Sequence, residues 1–325
     1  MTRKTTSGHK NIEQILDIIR DTEKSKLSKN SLHEGLRGIS GLKTVRLLQR
    51  LAQNLKDESN VCYLEIGVFQ GLTLVSTALE APKLPCFGID NFATLDPKGK
   101  NQSIVRERLK YFETNNATLI DADFEEALKG LGAYLKNYKV GIYFIDGPHD
   151  YRSQLMCLLL IKPFLHENAV IIVDDANYPD VRWSTKDFLL GHPEFKLLFD
   201  AYSPAHPANM TKTEKAEHEL GWLNGIHVIV RDPYAQLPEM LPPTNERERT
   251  LYLNEWLAHR LRMAELTPEA LRLADAICSG DMEATEAKRQ KLKSLYEDKK
   301  DKLELLFKDR NVFSNNLPFS RINSY

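Results

Sequence analysis

Val61-Cys-Tyr-Leu-Glu-Ile66-Gly67-Val-Phe-Gln-Gly71 is an apolar run of strand length that ends in a glycine-bracketed turn, and a helical pattern follows from Leu72 to Leu79. A strand that turns at glycine directly into a helix is the opening unit of a βαβ array. The pattern then repeats. Strand-like runs at Cys86–Ile89, Ala117–Ile120, Gly141–Ile145 and Val170–Val173 alternate with helical stretches near Gln102–Phe112, Phe124–Lys136, Tyr151–Leu165 and Val181–Leu190. Such alternation predicts an α/β, doubly wound, mostly parallel sheet with helices on both faces. Two further strands, Phe195–Phe199 and Gly225–Val230, have no apolar helical face between them, so they are expected to pair antiparallel and complete a seven-stranded sheet. Their connection, Asp200 to Asn224, is longer than an ordinary loop and reads as a functional lid.

Outward from this core the sequence divides into three parts. Residues 1–37 read as a polar, helical leader, with an amphipathic helix from Asn11 to Arg20 and a linker from Lys24 to Asn30. Residues 38–234 form the Rossmann-like domain, entered by a helix from Gly41 to about Leu55 that Ser40 can cap, with Leu42, Val45, Leu48 and Leu51 on one face. Residues 235–325 are a helical C-terminal extension, introduced by Pro238, Pro242 and Pro243 and predicted as helices at Asn245–Met263, Pro268–Ser279 and Asp281–Phe307. The last carries Leu292, Leu295, Tyr296, Leu303 and Leu306 at helical spacing, which suggests a homodimer built through these helices.

Composition narrows the function. Across 325 residues, 44 Lys+Arg balance 45 Asp+Glu to a net charge of −1, so no basic field exists to attract nucleic acid. Cys62, Cys86, Cys157 and Cys278 are far apart, and the first three lie in or beside apolar runs, which suits reduced core thiols rather than a disulfide frame or zinc site. The basic N-terminus is not followed by an apolar segment of signal-peptide length, and no apolar run reaches membrane-spanning length. A cytoplasmic protein acting on a small molecule is expected.

The turn after the first strand is the position of a nucleotide loop in such folds. A dinucleotide fingerprint requires a second glycine two positions after Gly67, and Phe69 stands there instead. Glu65 at the strand end opposes a diphosphate and favours a cationic or amine-bearing ligand, which argues against NAD or ATP. Gly67 and Gly71 are the loop glycines. Asp90, with Asn91 beside it, ends the second strand and can accept both ribose hydroxyls, or cap the next helix. Asp123, after the third strand, can meet an adenine edge or serve as an N-cap.

Together, Leu64-Glu-Ile-Gly67-x-x-x-Gly71, Asp90, the Asp123 region and the antiparallel ending resemble the class I S-adenosylmethionine-dependent methyltransferases over about Gly38 to Asp232. The resemblance implies a helix before the first strand, an antiparallel seventh strand, and S-adenosylmethionine as cofactor.

Two later strands run into acids: Val140–Ile145 into Asp146-Gly-Pro-His149, and Ala169–Val173 into Asp174-Asp175. In a parallel sheet both carboxyl ends meet at one edge. Three carboxylates there raise one another's pKa unless neutralised, and all-oxygen donors suit a hard cation, magnesium first. The alternative is that these acids cap helices. His149 sits where its imidazole can take a substrate proton. Asp146-x-x-His149 followed by Asp174-Asp175 also resembles the metal-dependent macrolide-sugar-type O-methyltransferases. That resemblance implies Asp146, Asp174 and Asp175 as metal ligands and His149 as general base, with Asp146 also near the cofactor. Which of Asp174 and Asp175 ligates directly stays open. Tyr151 and the stretch Tyr202 to Trp222 are expected to line the acceptor pocket, while His166, His192, His206, His218 and His227 are assigned no role. The function expected is methyl transfer to a hydroxyl of a sugar or hydroxylated natural product. A metal-independent methyltransferase and a non-catalytic assembly protein are the alternatives.

Overall fold

The structure is a computed structural model that describes residues 2–28, 32–205, 207, 210–244, 255–311 and 317–324, with side chains described for 11–28, 32–205, 207, 210–244, 266–298 and 317–324. Its centre is one eight-stranded sheet: β1 (Val61–Ile66), β2 (Cys86–Asp90), β3 (Ala117–Asp121), β4 (Lys139–Ile145), β5 (Leu165–Asp174), β6 (Phe195–Ala201), β7 (Ile226–Arg231) and β8 (Ser320–Ile322). The strand order is β3-β2-β1-β4-β5-β7-β6-β8. The first five strands pair in parallel, and β7 runs antiparallel to both β5 and β6. The seven expected strands are therefore all present. An eighth, β8, pairs antiparallel with β6 and comes from the chain's C-terminal end.

Order reverses between β1 and β4: from β1 the sheet grows one way through β2 and β3 and the other way through β4 and β5. Ligands of open α/β sheets bind at such a switch point, beyond the carboxyl ends of the strands. The register makes this concrete, because Ile66 is opposite both Ile89 and Ile145, and Ile145 is opposite Val173. Gly67, Asp90, Asp146 and Asp174 thus emerge along one edge.

Helices cover both faces. They are α1 (Thr2–Lys24), α2 (Leu42–Leu55), α3 (Leu72–Glu80), α4 (Asn101–Tyr111), α5 (Phe124–Lys129), α6 (Leu131–Leu135), α7 (Tyr151–Leu160), α8 (Pro179–Gly191), α9 (Lys212–Glu219), α10 (Glu255–Ser279) and α11 (Met282–Asn311). Alternate strand residues feed two core layers: Tyr63, Ile142, Phe144, Val170 and Ile172 on one side, Leu64, Tyr143, Ile145, Ile171 and Val173 on the other. This is the period-2 alternation of a sheet buried on both faces.

Several expectations change. The helix expected at Asn11–Arg20 is part of α1, and Ile12, Ile15, Leu16 and Ile19 are at most 2% exposed in the same core as Leu47, Leu48 and Leu51 of α2. The leader is thus a docked helix, held also by Glu23, which accepts from Lys43 Nζ at 2.8 Å and Trp222 Nε1 at 2.6 Å. Ser40 does not cap α2; Gly41 holds the N-cap position with no side-chain bond. The stretch expected as a lid contains α9, a polar helix closed by a Thr211/Glu214 capping box, while Trp222 is buried against Phe199. In the C-terminal extension Pro268 sits inside one continuous helix, α10, which packs on α11. Asn245 to Asn254, His206 and the side chains of Leu303 and Leu306 lie outside the described residues. Cys62, Cys86 and Cys157 are buried free thiols, and Cys278 is exposed and free. Among the described residues no helix is long and apolar enough to cross a membrane.

Candidate active site

The loop after β1 is built on backbone geometry that glycine alone meets without strain. Gly67 has φ +86°, and a Cβ there would lie 1.9 Å from the Asp146 carbonyl oxygen, because the ends of β1 and β4 run side by side. Gly71, at φ +82°, is the N-cap of α3. Phe69 also takes a left-handed φ, +51°. Asp90 holds this loop: Oδ2 accepts from Val68 N and Phe69 N, both at 2.8 Å, and Oδ1 accepts from Phe92 N at 2.7 Å. The carboxylate thereby ties β2 to the loop while Oδ1 keeps a further lone pair.

A cleft of about 270 Å³ opens over the switch point. Of the residues expected at a cofactor site, Gly67, Asp90, Asn91, Asp123 and Asp146 line it; Glu65 and Gly71 do not. Glu65 is fully buried beneath the loop, and its Oε2 accepts a short hydrogen bond from the Tyr63 hydroxyl. Burial raises its pKa to about 8, with the Tyr63 hydroxyl pulling the other way and the charges of Asp146 and Asp90 adding to the rise. Asp123 is the N-cap of α5, accepting from Glu125 N at 2.9 Å, and its neighbours Ala122 and Phe124 form the apolar end of the cleft. Asp123 thus caps α5 and also borders the cavity.

The opposite end of the cleft holds the acids. Asp146, His149 and Asp175 each offer a ligand atom, all within 4.8 Å of one another. His149 Nε2 is 2.6 Å from Asp175 Oδ2, and its ring stacks on Tyr178 at 4.8 Å between centroids. Ser40 Oγ donates to Asp146 Oδ2 at 3.3 Å. Desolvation first, then the charge of Asp175, pushes the Asp146 carboxyl up to about 8, and burial together with the charges of Asp146 and Asp175 raises Asp174 well above the carboxylate range.

Asp174 is not part of the trio. As the last residue of β5 it shares a side of the strand with Val170 and Ile172, and its Oδ1 accepts from Asp175 N at 3.0 Å. Asp175, at φ +58°, turns its own side chain into the cleft instead.

Other expected pocket residues lie elsewhere. Tyr151 donates to Asp187 at 2.6 Å. Tyr202 is buried in a chain of hydrogen bonds: its hydroxyl meets Asp200 Oδ2 at 2.9 Å and His227 Nε2 at 3.0 Å, and His227 Nδ1 lies 3.2 Å from Thr185 Oγ1. Burial first, then the positive charges of Arg182 and Arg321, lowers the His227 pKa to about 3, so this imidazole is neutral. Ser40, Tyr178, Ile39 and Leu95 were not expected at the site. The last two border the cleft and are 57% and 68% exposed, which leaves an apolar rim open to solvent.

Residues 64–176 match the family model described as a methyltransferase domain. Among curated proteins, protein R132 of Acanthamoeba polyphaga mimivirus, described as uncharacterized, is 28% identical over 143 residues, 42% of this chain; the chain spans about 60% of that relative's length. Among solved structures, cofactor-bound Rv0187 from MTB aligns with 14% identity and a TM-score of 0.44, covering 69% of this chain and 89% of that one. A putative O-methyltransferase from Klebsiella pneumoniae aligns with 15% identity and a TM-score of 0.42, over 68% and 90%. Residues 64–176 are thus similar to a methyltransferase domain, and they make up the parallel half of the sheet, with the antiparallel strands beyond it.

Proposed function

We propose that this protein transfers a methyl group from S-adenosylmethionine to a hydroxyl oxygen of a small molecule, such as a sugar or hydroxylated natural product, with a divalent cation at the acceptor end of the cleft. The observation that carries the reading is the single cleft joining the Gly67 loop and Asp90 to Asp146, His149 and Asp175. The residues fit both absent groups. Asp90 Oδ1 has a lone pair to spare beside the loop, and Asp146 and Asp175 are oxygen donors whose mutual repulsion a cation would relieve. When bound, S-adenosylmethionine supplies the methyl group and a hard cation such as Mg²⁺ lowers the pKa of the acceptor hydroxyl.

The chain's own part is alignment and proton transfer. Asp90 would hold the ribose and Ala122 and Phe124 the adenine, while Glu65, buried beneath the loop, supports it through its hydrogen bond with Tyr63. Asp146 and Asp175 would fix the cation. His149 would accept the hydroxyl proton at the ring nitrogen that does not face Asp175, with Asp175 at Nε2 stabilising the imidazolium that results. Methyl transfer is then an in-line displacement whose rate rests on positioning.

A second reading is favoured by one contact: His149 and Asp175 at 2.6 Å already form a base with its orienting carboxylate, which a metal-free methyltransferase could use. The two separate on one assay. Release of S-adenosylhomocysteine is followed over a panel of nucleotide sugars and phenols, with Mg²⁺ or with excess chelator. Turnover that chelator abolishes and His149→Ala lowers by about 100-fold or more supports the metal-assisted reading. Turnover unchanged by chelator supports the metal-free one, and turnover unchanged by His149→Ala contradicts both.

A further inference from the structure

The turn that presents Asp175 is held from the far side by a residue that neither the sequence pattern nor the matched segment includes. Asn224 lies just before β7, 49 residues from Asp175, and is 3% exposed. Its Nδ2 donates to Asp175 Oδ1 at 2.6 Å. Its own Oδ1 is buried without a hydrogen-bond partner among the described residues. A buried, unsatisfied amide oxygen costs about 1–3 kcal/mol. The fold keeps this amide in place and uses its donor on one carboxylate.

The backbone reinforces the contact. Asn177 N donates to Asn224 O at 2.9 Å and Ala176 N to Gly225 O at 3.3 Å, so the segment after Asp175 is laced to the segment before β7. Gly225, at φ +85°, permits the approach, since a Cβ there would come within 2.6 Å of Asn177 Oδ1. Asp175 meanwhile holds a left-handed φ of +58°, which costs on the order of 1 kcal/mol or more and persists only where the surroundings enforce it. With Oδ1 engaged by Asn224, Oδ2 is the oxygen that faces His149 Nε2. The amide thus selects which oxygen points at the imidazole and fixes the plane of the carboxylate.

We infer that Asn224 is a positioning residue of the acceptor site: by donating to Asp175 Oδ1 it orients that carboxylate toward a divalent cation shared with Asp146. This rests on the metal-assisted reading above. Partners that hydrogen-bond a ligating carboxylate without touching the ion typically contribute about 10- to 100-fold to metal affinity.

The test uses the full chain and Mn²⁺ as the probe, with calorimetric titration of wild type, Asn224→Leu and Asn224→Ala. Leucine keeps the branching of asparagine at Cγ while removing the donor together with the unsatisfied oxygen, and alanine removes both without adding bulk. S-adenosylmethionine affinity measured in chelator reports on the cofactor end. We expect Mn²⁺ binding about 10- to 100-fold weaker in both variants, with S-adenosylmethionine affinity within about twofold of wild type, as separate partner sets for the two ends require. Wild-type Mn²⁺ affinity in Asn224→Leu would overturn the inference and leave the metal-assisted reading standing. Joint loss of both ligands in both variants would show a structural role only, and overturn it likewise. A wild-type protein that binds S-adenosylmethionine and no Mn²⁺ would remove the cation and this inference together, while failure to bind either ligand would count against the methyltransferase reading itself.

Discussion

Gly67 is the residue on which cofactor loop and acid site depend together, because its missing side chain is what lets the Asp146 backbone pass beside the end of β1. Gly67→Ala sets a Cβ 1.9 Å from a carbonyl oxygen in a left-handed conformation. Loss of about 3 kcal/mol or more in urea unfolding is expected; a loss below about 1 kcal/mol would mean that the loop relaxes freely. Glu65 makes a different prediction, one of pH. Burial pushes its carboxyl up to about 8 in the fold, against an ordinary value of 4.5, so between those values the unfolded chain gives up a proton that the native chain keeps. Stability from this group is therefore complete below about 4.5 and declines as pH rises toward 8, at up to about 1.4 kcal/mol per pH unit. Glu65→Gln should flatten that part of the stability–pH profile in chemical denaturation; an unchanged slope would show that Glu65 is ionised throughout. Gly67, Asp90, Asp146 and Asp175 were legible at one sheet edge because each lies at or just past the end of a strand whose pattern is unmistakable, whereas the separation of Asp174 from the trio was not. Asn224 and Tyr178 were not. Asn224 reaches Asp175 only through the antiparallel return of β7, and nothing in the local spacing of Tyr178 signals a ring stacked on His149.

Among the elements, β8 is the least expected and the most easily tested. Three residues, Ser320–Ile322, add a strand to β6 and carry Arg321 over the fully buried Asp200. Arg321 Nε donates to both Asp200 oxygens at 3.0 and 3.2 Å, and its Nη2 also donates to Leu241 O at 2.9 Å. Asp200 in turn accepts from Tyr202, which meets His227, so the strand ends a buried polar chain whose charge it balances. Arg321→Ala would leave that carboxylate buried and unpaired, a loss of about 3–5 kcal/mol measured by equilibrium unfolding. A change within about 0.5 kcal/mol would show that the Arg321–Asp200 pair contributes little to stability. No sequence signal marks β8, since three residues have no periodicity to read and their partner is 121 positions away. The N-terminal helix was visible as amphipathic. Its docking was not, because polar residues before and after it read as a linker, whereas the structure buries Ile12, Ile15, Leu16 and Ile19 against α2.

At the scale of the molecule, the parallel half of the sheet sets the chemistry and the antiparallel half steadies it. The switch between β1 and β4 opens the cleft, and the segment leading into the antiparallel β7 braces the turn that holds Asp175 from behind. The doubly wound class, the reversal at the last strands and the convergence of acids on one edge follow from hydrophobic patterning alone, because each strand is buried on both faces and ends where polar residues begin. Placement of the stretch from Asp200 to Asn224 does not, since the buried Trp222 depends on Glu23 of α1, a contact that no spacing encodes. The central claim is that the cleft over the switch point binds S-adenosylmethionine through the Gly67 loop and Asp90. Isothermal titration of S-adenosylmethionine into the full-length protein tests it most directly, with Asp90→Ala in parallel. One site with a dissociation constant on the order of micromolar, weakened about 10-fold or more in Asp90→Ala, is the expected result; absence of binding by the wild-type protein, or equal affinity in the variant, would contradict it.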